Sequence, residues 1–115
     1  MPITILHNPR CSKSRQTLAL LEEQGITPIV REYLNDPLTS EELETLISKL
    51  DLTAAALVRN KEDEFKEAGL DLKSSSDAEF IAAMVKYPRL MERPVIINGD
   101  KARIGRPPEQ VLEII

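Results

Sequence analysis

Apolar runs of strand length sit near the two ends of this 115-residue chain, and the stretch between them is patterned as helix, so any sheet must join the termini. Ile3, Thr4, Ile5 and Leu6 form a short run that His7-Asn8-Pro9 ends, which predicts a buried strand entering a loop. Residues 12–24 carry Leu18 and Leu21 on one face and meet a stop at Gly25, which predicts a helix. Residues 28–34, PIVREYL, are β-rich again, so the first 34 residues read as a βαβ unit with a parallel strand pair. At the other end, Val95-Ile96-Ile97 and Lys101 to Ile104 flank an Asn98-Gly99 turn, a strong hairpin signal. Pro107 and Pro108 suit the first positions of a closing helix lined by Val111, Leu112 and Ile115.

The middle contains two capping boxes, Thr39 with Glu42 and Ser76 with Glu79. The first opens a helix with Leu43, Leu46, Ile47 and Leu50 on one face; the second opens one that carries Phe80, Ile81, Met84 and Val85 and must end before Pro88. Thr53 caps a short helix, AAALVRN, and EDEFKEAGL makes another that stops at Gly69. A domain usually needs roughly 100–150 residues, so there is room for one core. The expected fold class is α/β: a single thioredoxin-like domain over 1–115, N-terminal βαβ and C-terminal ββα, with a helical insertion at about 39–86.

Charge narrows the function. Fifteen Lys and Arg against 19 Asp and Glu give a formal net charge of −4, so no global field draws the chain to nucleic acid or an anionic membrane. Residues 7–15 nevertheless hold Arg10, Lys13 and Arg15 without an acid, and residues 86–108 hold six bases against Glu92 and Asp100. Residues 32–79 between them are acidic. Brought together, the two basic blocks make a cationic pocket suited to a small anion; left apart, they are two solvated surfaces. No apolar run reaches the roughly 18–20 residues of a membrane span, and the N-terminus lacks the zones of a signal peptide, so the expected location is cytoplasmic. One cysteine excludes an internal disulfide and a Cys-based zinc cluster, and no His/Asp/Glu cluster has metal-ligand spacing.

Cys11 lies in the loop before the first helix, where unpaired N–H groups and the positive end of the macrodipole favour a thiolate. Such positions, with nearby cations, lower a cysteine pKa from about 8.5 to about 3.5–7.5. A free cysteine is more often a small buried hydrophobe; this position and the cations Lys13 and Arg15 reverse that preference. Ser14 three residues on makes a CxxS arrangement, so any disulfide chemistry must be completed by an outside thiol. Thr17 stands where a Cys-x5-Arg phosphatase loop would need arginine. The sole histidine, His7, reads either as a general base for Cys11 or as a partner of the loop backbone.

HNPRCSKSRQTLALL, followed in order by ALVRN, ERPVI and RIGRPPEQVLEI, resembles the glutaredoxin-dependent arsenate reductase family over essentially the whole chain. The resemblance implies that Cys11 attacks arsenate and that Arg59, Arg93 and Arg106 hold the oxyanion. It implies a cis Pro94 facing the nucleophile loop, and helper roles for His7, Asn8, Ser14 and Arg15, with Ser14 donating to the sulfur. Each helper also has a structural reading: Asn8 as a loop former, Ser14 as a helix-terminal residue, Arg15 as a surface charge. The guanidinium fork independently suits anion capture, and Arg106 just before a helix N-terminus suits a shared anion. Glutathione is the implied co-substrate and glutaredoxin the implied partner, with no bound cofactor or metal. The chain departs from the family pattern at Arg10 and at Ser12-Lys13, where small neutral residues are usual, and two extra cations there bear on substrate choice.

Three readings follow: reduction of arsenate to arsenite, reduction or deglutathionylation of another thiol substrate, and a non-catalytic thioredoxin-like regulator docking on a protein partner. Ser14 removes the CxxC switch that the regulatory reading would use.

Overall fold

The computed structural model describes residues 2–115, and these divide into two compact units. One runs to Asp36 and resumes over Arg93–Ile115; the other is Pro37–Glu92.

The first unit is a four-stranded sheet in the order β2-β1-β3-β4, with β1 Ile3–Leu6, β2 Ile29–Arg31, β3 Val95–Asn98 and β4 Lys101–Ile104. β1 pairs parallel to β2 and antiparallel to β3, and β3 pairs antiparallel to β4. Helix α1, Ser12–Glu23, makes the crossover between β1 and β2 and packs on a closing 3₁₀ helix, Pro108–Glu113. Ile5, Leu21, Ile96, Val111 and Ile114 form the core beneath them. Each such side chain removed from water contributes about 1.5–3 kcal/mol. This is a thioredoxin-like arrangement, with βαβ from the N-terminus and ββ plus a terminal helix from the C-terminus.

Three local expectations change. β2 spans only Ile29–Arg31, because the Glu32 carbonyl accepts the N–H groups of Asn35 and Asp36 and turns the chain out of the ladder. In the hairpin, Asn98 pairs with Lys101 as the last strand residue, so the two-residue loop is Gly99-Asp100, with Gly99 at φ +63 in the first central position that favours glycine. The closing helix is 3₁₀ and starts at Pro108, not Pro107. Three residues per turn put Pro108, Val111 and Ile114 on the buried side, while Leu112 and Ile115, expected inside on α-helical spacing, are exposed.

The second unit is helical: α2 Ser40–Leu50, α3 Ala54–Leu57, α4 Asp63–Glu67 and α5 Asp77–Lys86, with a 3₁₀ turn at Pro88–Leu90. Both capping boxes form, so at each of these two helix entries the N-cap and N3 N–H groups are answered, a contribution of about 0.5–2 kcal/mol per cap. α5 packs on α2 and α3, burying Leu43, Leu46, Leu50, Leu57, Phe80 and Met84. Val85, expected on the buried face, is exposed. α3 ends at Leu57 because Val58 leaves the helix to form an antiparallel bridge with Met91. Among the described residues no helix is long and apolar enough to cross a membrane.

Gly105 is a close-approach position in the first unit. Its N–H donates to the Pro94 carbonyl at 2.9 Å, and a Cβ there would lie 2.8 Å from both Pro94 Cγ and Thr17 Oγ1. Neither neighbour yields easily, since one is a ring and the other is fully buried on α1. Gly105→Ala is therefore expected to destabilise the protein by about 1–3 kcal/mol, read as a lower urea midpoint.

Candidate active site

The site is organised by the loop from β1 to α1. Cys11 is the N-cap residue of α1, extended at φ −94 and ψ 123, half-buried, and its side chain makes no capping bond. The amides of the first helical turn have no intrahelical partners, and that turn carries no acidic residue. Its positive end is therefore open to an anion.

Short bonds fix the loop. The Asn8 carbonyl accepts the Cys11 N–H at 3.0 Å, and Asn8 Oδ1 accepts the Arg10 N–H at 3.0 Å. Arg15 Nη1 donates to the Pro9 carbonyl at 2.8 Å. Asn8 is thus the loop former and Arg15 a staple across it.

Ser14 differs from its expected role. Its side chain is fully buried and lies 2.6 Å from His7 Nδ1, and its Oγ accepts the Asn8 N–H at 3.0 Å. Among the described residues no bond joins it to Cys11 Sγ. A neutral imidazole accepting at Nδ1 from the Ser14 hydroxyl satisfies all three groups at once. Burial holds His7 below its ordinary value of 6.5; the Glu32 charge opposes that shift and the Arg15 charge adds to it.

A stability consequence follows from this depressed histidine. The unfolded chain takes up the His7 proton as pH falls through about 6.5, whereas the folded chain resists until lower pH. The contribution is full above pH 6.5 and is lost as pH falls below it. Between pH 7.5 and 5.5, His7→Gln is expected to lose less stability than the wild type, measured by urea unfolding at each pH.

The second wall comes from the chain after β4. Gly105 lets that segment pass between Pro94 and Thr17, and the next residue, Arg106, reaches the loop. Arg106 Nε donates to the Arg93 carbonyl at 2.9 Å, and Nη2 donates toward Cys11 Sγ at 3.8 Å. Among the described residues Arg93 Nε is buried without a hydrogen-bond partner, a state that costs about 1–3 kcal/mol unless a ligand answers it. The Arg93–Pro94 and Arg106–Pro107 bonds are both cis. Parts of the two basic blocks therefore meet at Cys11.

Arg59 belongs to the helical unit. Beside the Val58–Met91 bridge, the Arg59 N–H donates to the Leu90 carbonyl and the Glu92 N–H to the Leu57 carbonyl, which sets Arg59 next to Glu92. Its Nε lies 3.1 Å from Glu92 and its Nη1 2.7 Å from Glu62, and Glu62 also meets Arg89 at 3.3 Å. Its side chain is 25% exposed, so it is an ion-paired, half-buried cation and not a solvated one. The Glu62 partner is visible in sequence at i,i+3; Glu92, 33 residues on, is not.

Comparison with known proteins gives the relationship. Residues 6–114 match the model of the ArsC family. The arsenate reductase of Haemophilus influenzae is 47% identical over 116 residues, covering 100% of both chains. That of Escherichia coli K12 is 37% identical over 113 residues, covering 98% of this chain and 80% of its relative. A solved structure of an arsenate reductase from Vibrio cholerae aligns with a TM-score of 0.95 at 50% identity, covering 100% of this chain and 98% of that one. With the fold, the motif order and these full-length matches in agreement, the chain belongs to the ArsC family.

Proposed function

We propose that this protein is a thiol-dependent reductase that converts arsenate to arsenite, with Cys11 as nucleophile. The observation that carries the reading is a half-buried sulfur at the N-terminus of α1 with Arg106 Nη2 at 3.8 Å, Arg106 Nε in turn lying on the carbonyl of Arg93, whose own Nε is buried without a partner among the described residues. A tetrahedral oxyanion with one to two negative charges supplies what those donors lack.

In this scheme Cys11 Sγ attacks arsenic and an arsenic-bound oxygen leaves as water. A glutathione thiolate then attacks Cys11 Sγ; the S–As electron pair passes to arsenic, which leaves as arsenite. The glutaredoxin thiolate attacks the glutathione sulfur of the resulting Cys11–glutathione disulfide and restores Cys11, and a second glutathione then frees glutaredoxin as glutathione disulfide forms. Two thiol sulfurs are oxidised and arsenic gains two electrons, so the balance closes without metal or bound cofactor. The outside thiol is required because Ser14 leaves Cys11 without a resolving partner, and Cys11 is the only cysteine.

Arg106 and Arg93 bind the oxyanion and stabilise charge on its equatorial oxygens as sulfur attacks. The family resemblance also assigns an oxyanion-binding role to Arg59, whose side chain Glu62 and Glu92 hold within the helical unit. The His7–Ser14–Asn8 bonds fix the loop around the sulfur, and the family resemblance sets Pro94 opposite that loop. Steady-state assay with arsenate, glutathione and glutaredoxin tests the reading. Arsenite and glutathione disulfide forming one for one is the expected result; glutathione oxidation without arsenite would assign the site to another thiol substrate.

A further inference from the structure

We infer that the cavity between the nucleophile loop and the turn after β2 is the subsite for the thiol co-substrate, and that its chemistry fits a small zwitterionic peptide thiol of the glutathione class. The inference rests on the reading above for the reaction, though not for the binding. The cavity has a volume of about 400 Å³, within the ~300–1,000 Å³ usual for small-molecule sites. Asn8, Pro9 and Arg10 line one side and Glu32, Leu34 and Asn35 the other.

The charges define the ligand. An inorganic oxyanion is poorly served by a cavity containing the Glu32 carboxylate. A γ-glutamyl peptide, with carboxylates for the Arg10 fork and an ammonium for Glu32, answers both walls. The amides of Asn8 and Asn35 offer donors and acceptors for peptide bonds, and Leu34, 37% exposed, offers apolar surface to methylenes.

Both walls are preset. The Arg10 N–H is held by Asn8 Oδ1 at 3.0 Å, and the Asn35 N–H by the Glu32 carbonyl at 3.0 Å. Arg15, Arg31, Arg89 and Arg103 each bind a protein oxygen, whereas the Arg10 guanidinium has no partner among the described residues. The Asn8-Pro9-Arg10 wall is the loop segment that directly precedes Cys11, which sets the cavity on the same loop as the nucleophile.

The test uses S-methylglutathione, which binds without exchange, titrated into the Cys11→Ser protein and followed by amide NMR. Shifts at Asn8, Arg10, Glu32 and Asn35 are expected, with affinity about 5–10-fold lower for Arg10→Ala and for Glu32→Gln, and also for the ligand's diethyl ester. With Cys11 intact, Arg10→Ala is expected to raise KM for glutathione by a similar factor and leave KM for arsenate unchanged. Shifts confined to other residues, equal binding of the diester, or an Arg10→Ala variant with unchanged affinity would overturn the subsite. A wild type that binds S-methylglutathione here but yields no arsenite would overturn the arsenate reading and leave the subsite standing.

Discussion

Cys11→Ser is expected to lower arsenate reduction by more than about 10³-fold while leaving the protein folded. A serine hydroxyl at this position has no base to activate it: the Nδ1 of the only histidine faces Ser14. Oxygen also cannot form the disulfide whose formation delivers the electron pair to arsenic. The fold is spared for a separate reason. Cys11 is an N-cap that makes no capping bond, and serine is among the preferred N-cap residues, so thermal stability should hold or rise. Activity assay and thermal unfolding on the same preparation check both halves. An unstable variant would signal that the cysteine's role is packing.

Arg106→Ala is expected to cost about 10²–10³-fold in kcat/KM, the scale for removing one donor to developing oxyanion charge. The guanidinium makes two contacts that bear on the reaction. Nη2 faces the sulfur, and Nε on the Arg93 carbonyl fixes where the remaining donors point. Arg106→Lys keeps the charge and loses the fork, so it should recover only part of the loss, with KM for arsenate remaining high. Equal activity of the lysine and arginine forms would mean that charge alone matters.

Much of this was legible in the sequence because local chemistry set it. Thr39 with Glu42 and Ser76 with Glu79 marked helix starts, and Gly25 and Gly69, at φ +77 and +69, marked stops. The strand-rich ends announced one sheet joining both termini. The misses lie where a tertiary bond overrides a local pattern. Residues 32–34 have strand composition, yet the Glu32 carbonyl closes a turn there. The closing helix tightens to 3₁₀, which changes which side chains reach the core. At the site, the place of Cys11 just before α1 followed from the local pattern, and the approach of Arg106 to it was implied by the family resemblance, whereas charge alone left the two basic blocks together or apart. The His7–Ser14 pair did not, because a contact seven residues apart across a loop has no periodic signature. Nor did the cavity lined by Arg10 and Glu32, whose walls come from different elements.

The most direct measurement is the rate at which iodoacetamide alkylates Cys11 as arsenate is added at constant ionic strength. As the only cysteine, it reports without interference. An oxyanion seated between the sulfur, Arg106 and Arg93 predicts saturable slowing by arsenate that Arg106→Ala removes. An alkylation rate independent of arsenate concentration would contradict the account.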